Sequence, residues 1–397
     1  MTPAQLAKLL FAEHAGHCLH WLGPRNCRHA VIIPELKEIV KTSNGMFQLQ
    51  ELGHSLEGRS INLVRGGTGS KKILLWSQMH GDEATATLAL MDLFNFLSHQ
   101  VSVEPWIQDM LQNCTVFAIP MLNADGAEAG TRRTAAGIDM NRDARELVTP
   151  EARILRELQR KLRPQFGFNL HDQELSSVGR TTSVTAVALL APALDERKTM
   201  PMVRLRAARV AAVIARTLGP FIEGHLAKYD DTFEPRAFGD NMQSWGTSTV
   251  LIESGHWPRD PEKVFIRKLN FVAILSAVQA VANGTYQEVD LDHYHGLPAN
   301  GKRIYDIVIR GLTVVHPSGH TYQADLGLSL NRSNEEDQSS RCVTIKEVGD
   351  LSTFGALESI AGIRRTIAGG ELVLERTLSI QHLLDMLQLP PPRQSGF

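Results

Sequence analysis

Residues 73–83 read Ile-Leu-Leu-Trp-Ser-Gln-Met-His-Gly-Asp-Glu, a stretch that joins a short apolar run to a histidine and two acidic side chains. The turn-rich residues 66–70 precede the run, and apolar residues recur at helical spacing after Ala84. This pattern predicts a buried strand followed by a helix. It places His80 and Glu83 where the strand ends, at a spacing unlike the i, i+4 pair of a helical metal site.

Two later segments repeat the pattern. His171 follows the apolar run at residues 166–170, and Glu253 follows the β-favouring run at residues 248–252. In open α/β sheets, ligands bind in the crevice beyond the carboxyl ends of the strands. We therefore expect an α/β fold with a mixed, mostly parallel central sheet, helices on both faces, and these strand ends meeting at one crevice.

These side chains have the chemistry of a catalytic zinc site. Such a site uses three protein ligands and leaves one position open for water. Two imidazoles and a carboxylate, from His80, His171 and Glu83, form an open set for one Zn²⁺ ion, and Glu253 supplies a general base. Taken singly, each has a simpler explanation, such as an acidic helix start for Glu83 or a hydrogen-bonded core histidine for His171. The metal interpretation depends on their combination.

The same residues resemble the zinc metallocarboxypeptidase family, in which a closely spaced His and Glu precede a distant His. Residues 121–126, Met-Leu-Asn-Ala-Asp-Gly, resemble the family's Asn-Pro-Asp-Gly segment, with Ala124 in place of proline. Residues 131–142 resemble its substrate-binding stretch, and the likeness extends from about Arg59 to Gly255. The resemblance implies a carboxypeptidase A-like fold in a bacterial cytosolic-type branch.

The resemblance also implies roles for residues around the metal. Arg132 matches the arginine that stabilises the oxyanion, with Arg133 as the alternative if the alignment slips by one residue. Asn141 and Arg142 match the pair that binds the terminal carboxylate of the substrate. A guanidinium suits that task because it is a planar donor fork that stays charged. Asp139 matches the aspartate that accepts a hydrogen bond from a zinc-bound imidazole, here that of His80.

Some assignments keep alternatives. Tyr229 is the only tyrosine between His171 and Glu253, so it is the candidate for the tyrosine that many family members bring over the substrate. A partly buried aromatic that holds a loop is the alternative. Arg142 could instead form a surface ion pair with Asp143 or Glu146. Asp172 could also contact the metal-bound imidazoles, or be an exposed loop acid.

The resulting prediction is a zinc-dependent metallocarboxypeptidase, a metallopeptidase hydrolase. It hydrolyses the C-terminal amide bond of a peptide or peptide-like substrate with a free carboxylate, by a zinc-activated water with Glu253 as the base. The alternative is an N-acyl amino acid deacylase resembling aspartoacylase and succinylglutamate desuccinylase, because residues 139–142 fit both groups. A non-catalytic zinc-binding module is a further alternative. Residues 233–241 border the predicted side-chain pocket, where Asp240, Arg236 or Phe238 could select the departing residue.

Composition and charge fit a globular enzyme. The 397 residues are 43% hydrophobic with a formal net charge of −2, which indicates no nucleic acid partner. No apolar stretch of membrane-spanning length and no signal peptide is read from the sequence, so a cytoplasmic protein is expected, with no membrane association. Four cysteines do not form a disulfide framework. Cys18 and Cys27 lie among histidines 14, 17, 20 and 29, which leaves open a second zinc site or a loop with incidental histidines. The oligomeric state is not predicted.

We expect four segments along the chain. Residues 1–45 form a helical and loop extension, residues 46–288 the catalytic domain, residues 289–385 a small β-rich accessory domain, and residues 386–397 a flexible tail. A helix is predicted over residues 261–281. In the accessory domain, residues 304–309, 312–315 and 371–374 are predicted strands and residues 331–341 a polar loop.

Overall fold

The computed structural model of the chain describes residues 1–100, 104–331, 342–362 and 365–387. The described residues form two compact units. Unit 1 comprises residues 1–173, 186–254 and 262–299. Unit 2 comprises residues 174–185, 255–261 and the described part of 300–397. The main boundary therefore falls after Ala299, whereas the sequence predicts that the accessory domain begins at residue 289. Nearly all of the predicted loop at residues 331–341 and of the tail from residue 386 lies outside the described residues.

Elements are numbered along the chain. The helices of unit 1 are α1 Pro3–His17, α2 His29–Thr42, α3 Thr85–Gln100, α4 Pro105–Asn113, α5 Ala124–Ala129, α6 Pro150–Leu162, α7 Met202–Leu218, α8 Phe238–Ser244, α9 Val264–Asn283 and α10 Asp292–His295. The local sequence explains where several of these helices begin or end. Thr2 and Gln5 form a capping box at the start of α1. The helix predicted over residues 261–281 is α9, which ends at Gly284 in the left-handed conformation.

One eight-stranded sheet forms the centre of unit 1. Its strands are β1 Phe47–His54, β2 Ser60–Gly67, β3 Lys71–Ser77, β4 Cys114–Ile119, β5 Phe166–Asp172, β7 Val187–Leu190, β8 Leu226–Lys228 and β9 Ser248–Ser254. Their spatial order is β1-β2-β4-β3-β5-β9-β7-β8. The central strands β4, β3, β5 and β9 are parallel, and antiparallel pairs join β1 to β2, β2 to β4 and β7 to β9. The sheet is therefore mixed, as predicted.

The sheet buries apolar side chains on both faces. Trp76 packs with Leu155 of α6 on one face. The next residue back, Leu75, lines a small apolar cavity with Leu90 of α3 and Leu275 of α9. Since successive side chains of a strand point to opposite faces, α6 and α9 lie on opposite sides of the sheet. The predicted α/β class with helices on both faces is confirmed.

Helix α9 corrects one expectation from the sequence. It has 20 residues and, by length and composition alone, could cross a membrane, although no apolar stretch of that length was expected. About 78% of its most apolar window is buried, as in the core helix of a globular unit. Among the described residues it is the only helix that meets these criteria.

Unit 2 is rich in strands. Its elements are β6 Ser177–Val178, β10 Asn300–Gly301, β11 Ile304–Val315, β12 Thr321–Leu330, β13 Cys342–Gly349, β14 Gly355–Ala361, β15 Thr366–Ala368, β16 Thr377–Ser379 and α11 Ile380–Met386. β11 to β16 form a six-stranded sheet, whose core includes Ile309, Leu328 and Ile345. The runs predicted at residues 304–309 and 312–315 are one strand, β11. The strand predicted at residues 371–374 is wrong, because a 3₁₀ helix ends at Glu371 and the chain then makes a turn before β16.

Candidate metal centre

The loop that carries His80 is packed tightly against the start of α5. A Cβ atom on Gly81 would lie 2.0 Å from the backbone carbonyl carbon of Gly126, so a side chain has no room there. The Gly81 N–H and the Asn123 side-chain amide both donate to the Arg132 carbonyl oxygen, each at 3.3 Å. The His-Gly-Asp-Glu, Asn-Ala-Asp-Gly and Arg132 segments, separate in sequence, therefore form one packed structure.

The three predicted metal ligands lie together and are buried. The Glu83 carboxylate contacts both imidazoles, His80 Nδ1 through Oε1 and His171 Nδ1 through Oε2, each at 2.7 Å. One candidate ligand atom from each residue lies within 4.8 Å of the others. Among the described residues this is one of two groups that could hold a metal ion. Two imidazole nitrogens and a carboxylate are donors that zinc accepts, and they leave a coordination position open.

Asp139 and Arg132 contact this group from one side. Asp139 Oδ1 lies 3.0 Å from His80 Nε2, the ring nitrogen that faces away from Glu83. The Arg132 guanidinium donates to Glu83 Oε1 at 3.0 Å and reaches Asp139 Oδ2 at 3.4 Å, and its side chain is 47% exposed. Arg133 donates to the Gly137 carbonyl instead. The geometry therefore brings Arg132, and not Arg133, to the ligands.

On the other side, Asp172 anchors the end of the His171 strand. Its backbone N–H donates to Glu83 Oε2 at 3.1 Å. Its Oδ2 accepts from Thr85 Oγ1 at 2.6 Å and from Lys263 Nζ at 3.0 Å. Lys263 has a left-handed backbone, with φ 51°. No local sequence signal indicates Thr85 or Lys263, because both contacts depend on the tertiary fold.

The electrostatics of the cluster favour a positive charge between its carboxylates. Burial opposes protonation of His80, but the Glu83 charge and hydrogen bonds with Asp139 and Glu83 raise its pKa to about 9. Burial likewise opposes ionisation of Glu83, yet His171 and His80 hold the pKa of its carboxyl below the usual range. Burial lowers the pKa of His171. The buried carboxylates of Glu83 and Asp139 thus favour a cation beside the two imidazoles, which fits a zinc ion at this place.

Glu253 lies next to His171 as its register partner on the neighbouring strand β9. Its side chain is buried. Burial, together with the charges of Glu83 and Asp172, raises the pKa of its carboxyl well above the usual value. A carboxyl with a raised pKa beside a metal site is suited to accept and return a proton near neutral pH.

Asn141 and Arg142 follow Asp139 on a short 3₁₀ turn. The Asn141 side-chain oxygen accepts from the Phe238 N–H at 2.9 Å, which leaves its NH₂ group as the donor toward a ligand. Arg142 donates to the Asn141 carbonyl at 2.8 Å, and its Nε lies 3.4 Å from Glu234 Oε2. Two contacts therefore fix the Arg142 guanidinium, whose side chain remains 40% exposed.

The acid that pairs with Arg142 is neither Asp143 nor Glu146, the two partners expected from the sequence. Asp143 is buried and accepts from the N–H groups of Val148 and Thr149, each at 2.8 Å. It closes the loop before α6. Arg142 pairs with Glu234, an acid about 90 residues downstream that no local pattern could supply.

Residues 233–241 lie against the Asn141 turn. Arg236 forms a two-point fork on Glu234, at 2.9 and 2.8 Å, and this contact lowers the pKa of Glu234 to about 2. Asp240 accepts from the Glu234 N–H at 3.1 Å, and burial raises the pKa of its carboxyl to about 6. Phe238 is fully buried in the core, so it does not line an open pocket.

Tyr229 lies farther out in the sheet. Its N–H donates to the Leu189 carbonyl at 3.0 Å, beside strands β7 and β8 at the sheet edge, and its side chain is 36% exposed. Leu189 pairs with Ile252, the residue before Glu253. The role of Tyr229 over a substrate stays a prediction.

The histidines and cysteines near the amino terminus do not form one cluster. His14 and Cys18 gather with Asp92, the other group that could hold a metal. However, the Arg267 guanidinium contacts both Asp92 oxygens, and His14 Nε2 contacts one of them at 2.9 Å. The Arg267 guanidinium thus already supplies the positive charge that a metal ion would bring to Asp92. Cys27 instead contacts Gln78, and none of the four cysteines, all of which lie in the described residues, forms a disulfide bond.

Comparison with known proteins identifies relatives of this domain. Residues 32–179 match the family model described as zinc carboxypeptidase, a range that holds His80 to His171 but ends before Glu253. Carboxypeptidase 2 of Trichophyton rubrum is 27% identical over 105 residues, which cover 26% of this chain and 19% of the relative. Carboxypeptidase A2 of Rattus norvegicus is 26% identical over 97 residues, which cover 24% of this chain and 23% of the relative. The predicted family resemblance is confirmed.

A solved structure shows the same fold. The metallo-carboxypeptidase from Burkholderia cenocepacia superposes with a TM-score of 0.50 at 16% identity, covering 64% of this chain and 68% of that one. The chain spans only about a fifth of the length of the curated relatives it matches. The family match and the assembled ligands together confirm the expectation of a single zinc ion as the cofactor.

Proposed function

We propose that this chain, which carries a zinc carboxypeptidase domain over residues 32–179, is a zinc-dependent metallocarboxypeptidase. It would hydrolyse the C-terminal amide bond of a peptide or peptide-like substrate that ends in a free carboxylate. One observation carries the proposal: Glu83 joins His80 and His171 in a buried donor set, and Glu253 lies beside His171. These four side chains come from the carboxyl ends of three neighbouring strands, β3, β5 and β9.

His80, Glu83 and His171 would hold the zinc ion. Bound there, zinc supplies a Lewis acid and lowers the pKa of water at the site. Asp139 orients His80 by accepting from its outer ring nitrogen, which fixes Nδ1 as the metal-facing atom. Arg132, held by Glu83 and Asp139 but half exposed, can turn a donor toward the oxygen that becomes negative during attack.

Glu253 moves the proton. Its carboxylate removes a proton from the attacking water and delivers it to the amine nitrogen as the C–N bond breaks. Burial and the charges of Glu83 and Asp172 support this role, because they raise the pKa of the Glu253 carboxyl and make its carboxylate a better base than an exposed glutamate. The products are a shortened peptide and one free amino acid.

Asn141 and Arg142 would bind the substrate carboxylate. The Arg142 guanidinium is held through Nε and one terminal nitrogen, so its remaining N–H groups can donate to a carboxylate. The Asn141 NH₂ group is oriented because Phe238 occupies its side-chain oxygen. Substrates with a blocked C-terminus would lose this interaction.

Product analysis by mass spectrometry tests the proposal. The zinc-loaded protein is incubated with a peptide library, with the same peptides amidated at the C-terminus, and with N-acetyl and N-succinyl amino acids. We expect loss of one C-terminal residue from the free peptides only, and no product with E253Q at equal zinc content. Hydrolysis of the N-acyl amino acids alone would assign a deacylase instead. A protein that binds zinc and is inert to every substrate would be a non-catalytic module.

A further inference from the structure

A cavity of about 280 Å³ lies away from the metal centre, where α6 ends. It is lined by Arg156, Gln159, Arg160, Arg163, Pro164, Trp245 and Gly246. These residues precede β5 and β9, so the cavity is at the amino ends of the strands whose carboxyl ends carry His171 and Glu253. β5 has seven residues, and a strand rises about 3.3 Å per residue, which separates the two places by roughly 20 Å.

The lining of this cavity is basic. Three of its residues are arginines and none is acidic. Arg160 pairs with Glu157 on the exposed side of α6, at 3.1 Å. Among the described residues, neither Arg156 nor Arg163 has an acidic partner. Burial, and then the charge of Arg160, lowers the pKa of Arg156, and the charge of Glu157 opposes this shift. The charge of the three guanidiniums is therefore only partly offset, by Glu157.

Basic residues in the last turn of a helix have a simpler explanation, because they complement the negative end of its dipole. That end carries roughly half a charge. The dipole and the Glu157 carboxylate together offset about half of the three positive guanidinium charges. Roughly one and a half positive charges remain. The dipole also explains neither the open volume between the side chains nor the placement of Arg156 a full turn earlier.

The cavity wall is held in shape by contacts within unit 1. The Arg156 guanidinium stacks on the Trp245 ring, 3.8 Å from its centroid, and donates to the Gln159 side chain. Trp245 packs edge-on against Phe238, with ring centroids 6.1 Å apart. Arg163 takes a left-handed backbone, φ 48°, as its N–H donates to the Gln159 carbonyl. These contacts orient donors before a ligand arrives, which lowers the entropy lost on binding.

We propose that this cavity binds a small phosphate-bearing anion. Arginine forks match phosphate oxygens in two-point geometry, and the excess charge suits an anion that carries more than one negative charge. The volume of about 280 Å³ lies just below the usual range for ligand pockets, about 300–1,000 Å³, so it suits a compact anion. Because Trp245 covers one face of Arg156, the edge N–H groups are the ones presented to the ligand.

Calorimetric titration of the full chain tests this site. Orthophosphate and glycerol 3-phosphate are titrated separately at 0.15 M chloride, with sulfate as the comparison anion. We expect saturable binding of at least one phosphate compound, and binding weaker by about tenfold or more in R156Q/R163Q, since each charged hydrogen bond contributes strongly. R65Q, which removes an exposed arginine on β2, is the matched control and should bind as the original protein does.

The two phosphate compounds distinguish a free ion from a phosphate ester. Phosphate binding that persists in R156Q/R163Q and disappears when zinc is removed would place the anion at the metal centre and overturn the proposal. Equal binding of sulfate and phosphate, or none at 0.15 M chloride, would also overturn it. If the double variant does not fold, R160Q removes one lining charge from the exposed side of α6, and unchanged phosphate binding there would count against the site. Peptidase activity is not part of this test.

Discussion

His171 and Glu253 are register partners on the adjacent parallel strands β5 and β9. The side chains of such partners stand on the same face of the sheet, about 5 Å apart at their bases. Burial next to Glu83 and Asp172 raises the pKa of Glu253 well above its usual value. One strand pairing therefore sets both a metal ligand and the properties of the proposed base.

Glu253 should control the rate of proton transfer. E253Q keeps the size of the side chain but removes the proton acceptor, so kcat should fall by about 10²–10⁴-fold. Zinc content, measured by atomic absorption, should stay at the value of the unmodified protein, because Glu253 is not a proposed ligand. A variant that keeps its zinc and its full kcat would exclude Glu253 as the base.

E253Q, which should lower kcat, should also raise the stability of the metal-free protein. In the metal-free protein, a buried carboxyl whose pKa is raised on folding destabilises the native state once pH exceeds the unfolded-state pKa, about 4.3. E253Q should therefore stabilise the metal-free protein at pH 8, by roughly 1–3 kcal/mol, and have little effect below pH 4.5. Urea unfolding with EDTA at both pH values measures this difference. An equal effect at both pH values would show that ionisation of Glu253 is not the cause.

Asp139 should control zinc affinity. D139N removes the charge that accepts from His80 Nε2, so the zinc dissociation constant should rise by about 10–100-fold. Competition with a fluorescent chelator measures the constant. D230N, which changes an exposed acid whose hydrogen bonds are local, is the matched control and should leave it unchanged. Equal zinc affinity in D139N and the original protein would remove Asp139 from the site.

Glu234 should act on substrate binding through Arg142. E234Q weakens one of the two contacts that hold the guanidinium, so KM for peptides with a free carboxylate should rise by about three- to tenfold while kcat changes little. E57Q, which breaks an exposed ion pair with Arg59, is the control. A lower KM in E234Q would mean that Glu234 competes with the substrate carboxylate instead of orienting Arg142.

Local sequence was sufficient for the parts of the site that lie at strand ends. Apolar runs with period two or continuous burial predicted β3, β5 and β9, and each is followed by a polar residue that is costly to bury without a partner. His80, Glu83, His171 and Glu253 were found in this way. The exception in unit 2, the strand expected at residues 371–374, shows the limit of a four-residue apolar run, which a turn can also contain.

The partners of these residues depended on contacts between distant segments. Lys263 reaches Asp172, Glu234 reaches Arg142, and Trp245 meets Arg156, and none of these pairs has a sequence spacing that a local rule could use. Ion pairs and stacking form wherever the backbone brings complementary groups within reach. The sequence alone does not show whether a nearby or a distant acid will be the partner of an arginine. Asp143 illustrates this, because it was a candidate partner for Arg142 but closes its own loop.

By itself, the sequence determined the type of chemistry, because zinc ligands, a buried base and a guanidinium pair are fixed by residue identity and by their position after strands. Only the tertiary structure decided which arginine reaches Glu83, which acid holds Arg142, and that three arginines surround a cavity at the opposite end of the strands. The physical reason is that side-chain chemistry is a local property, whereas electrostatic pairing depends on distance in space and on the solvent excluded between the groups.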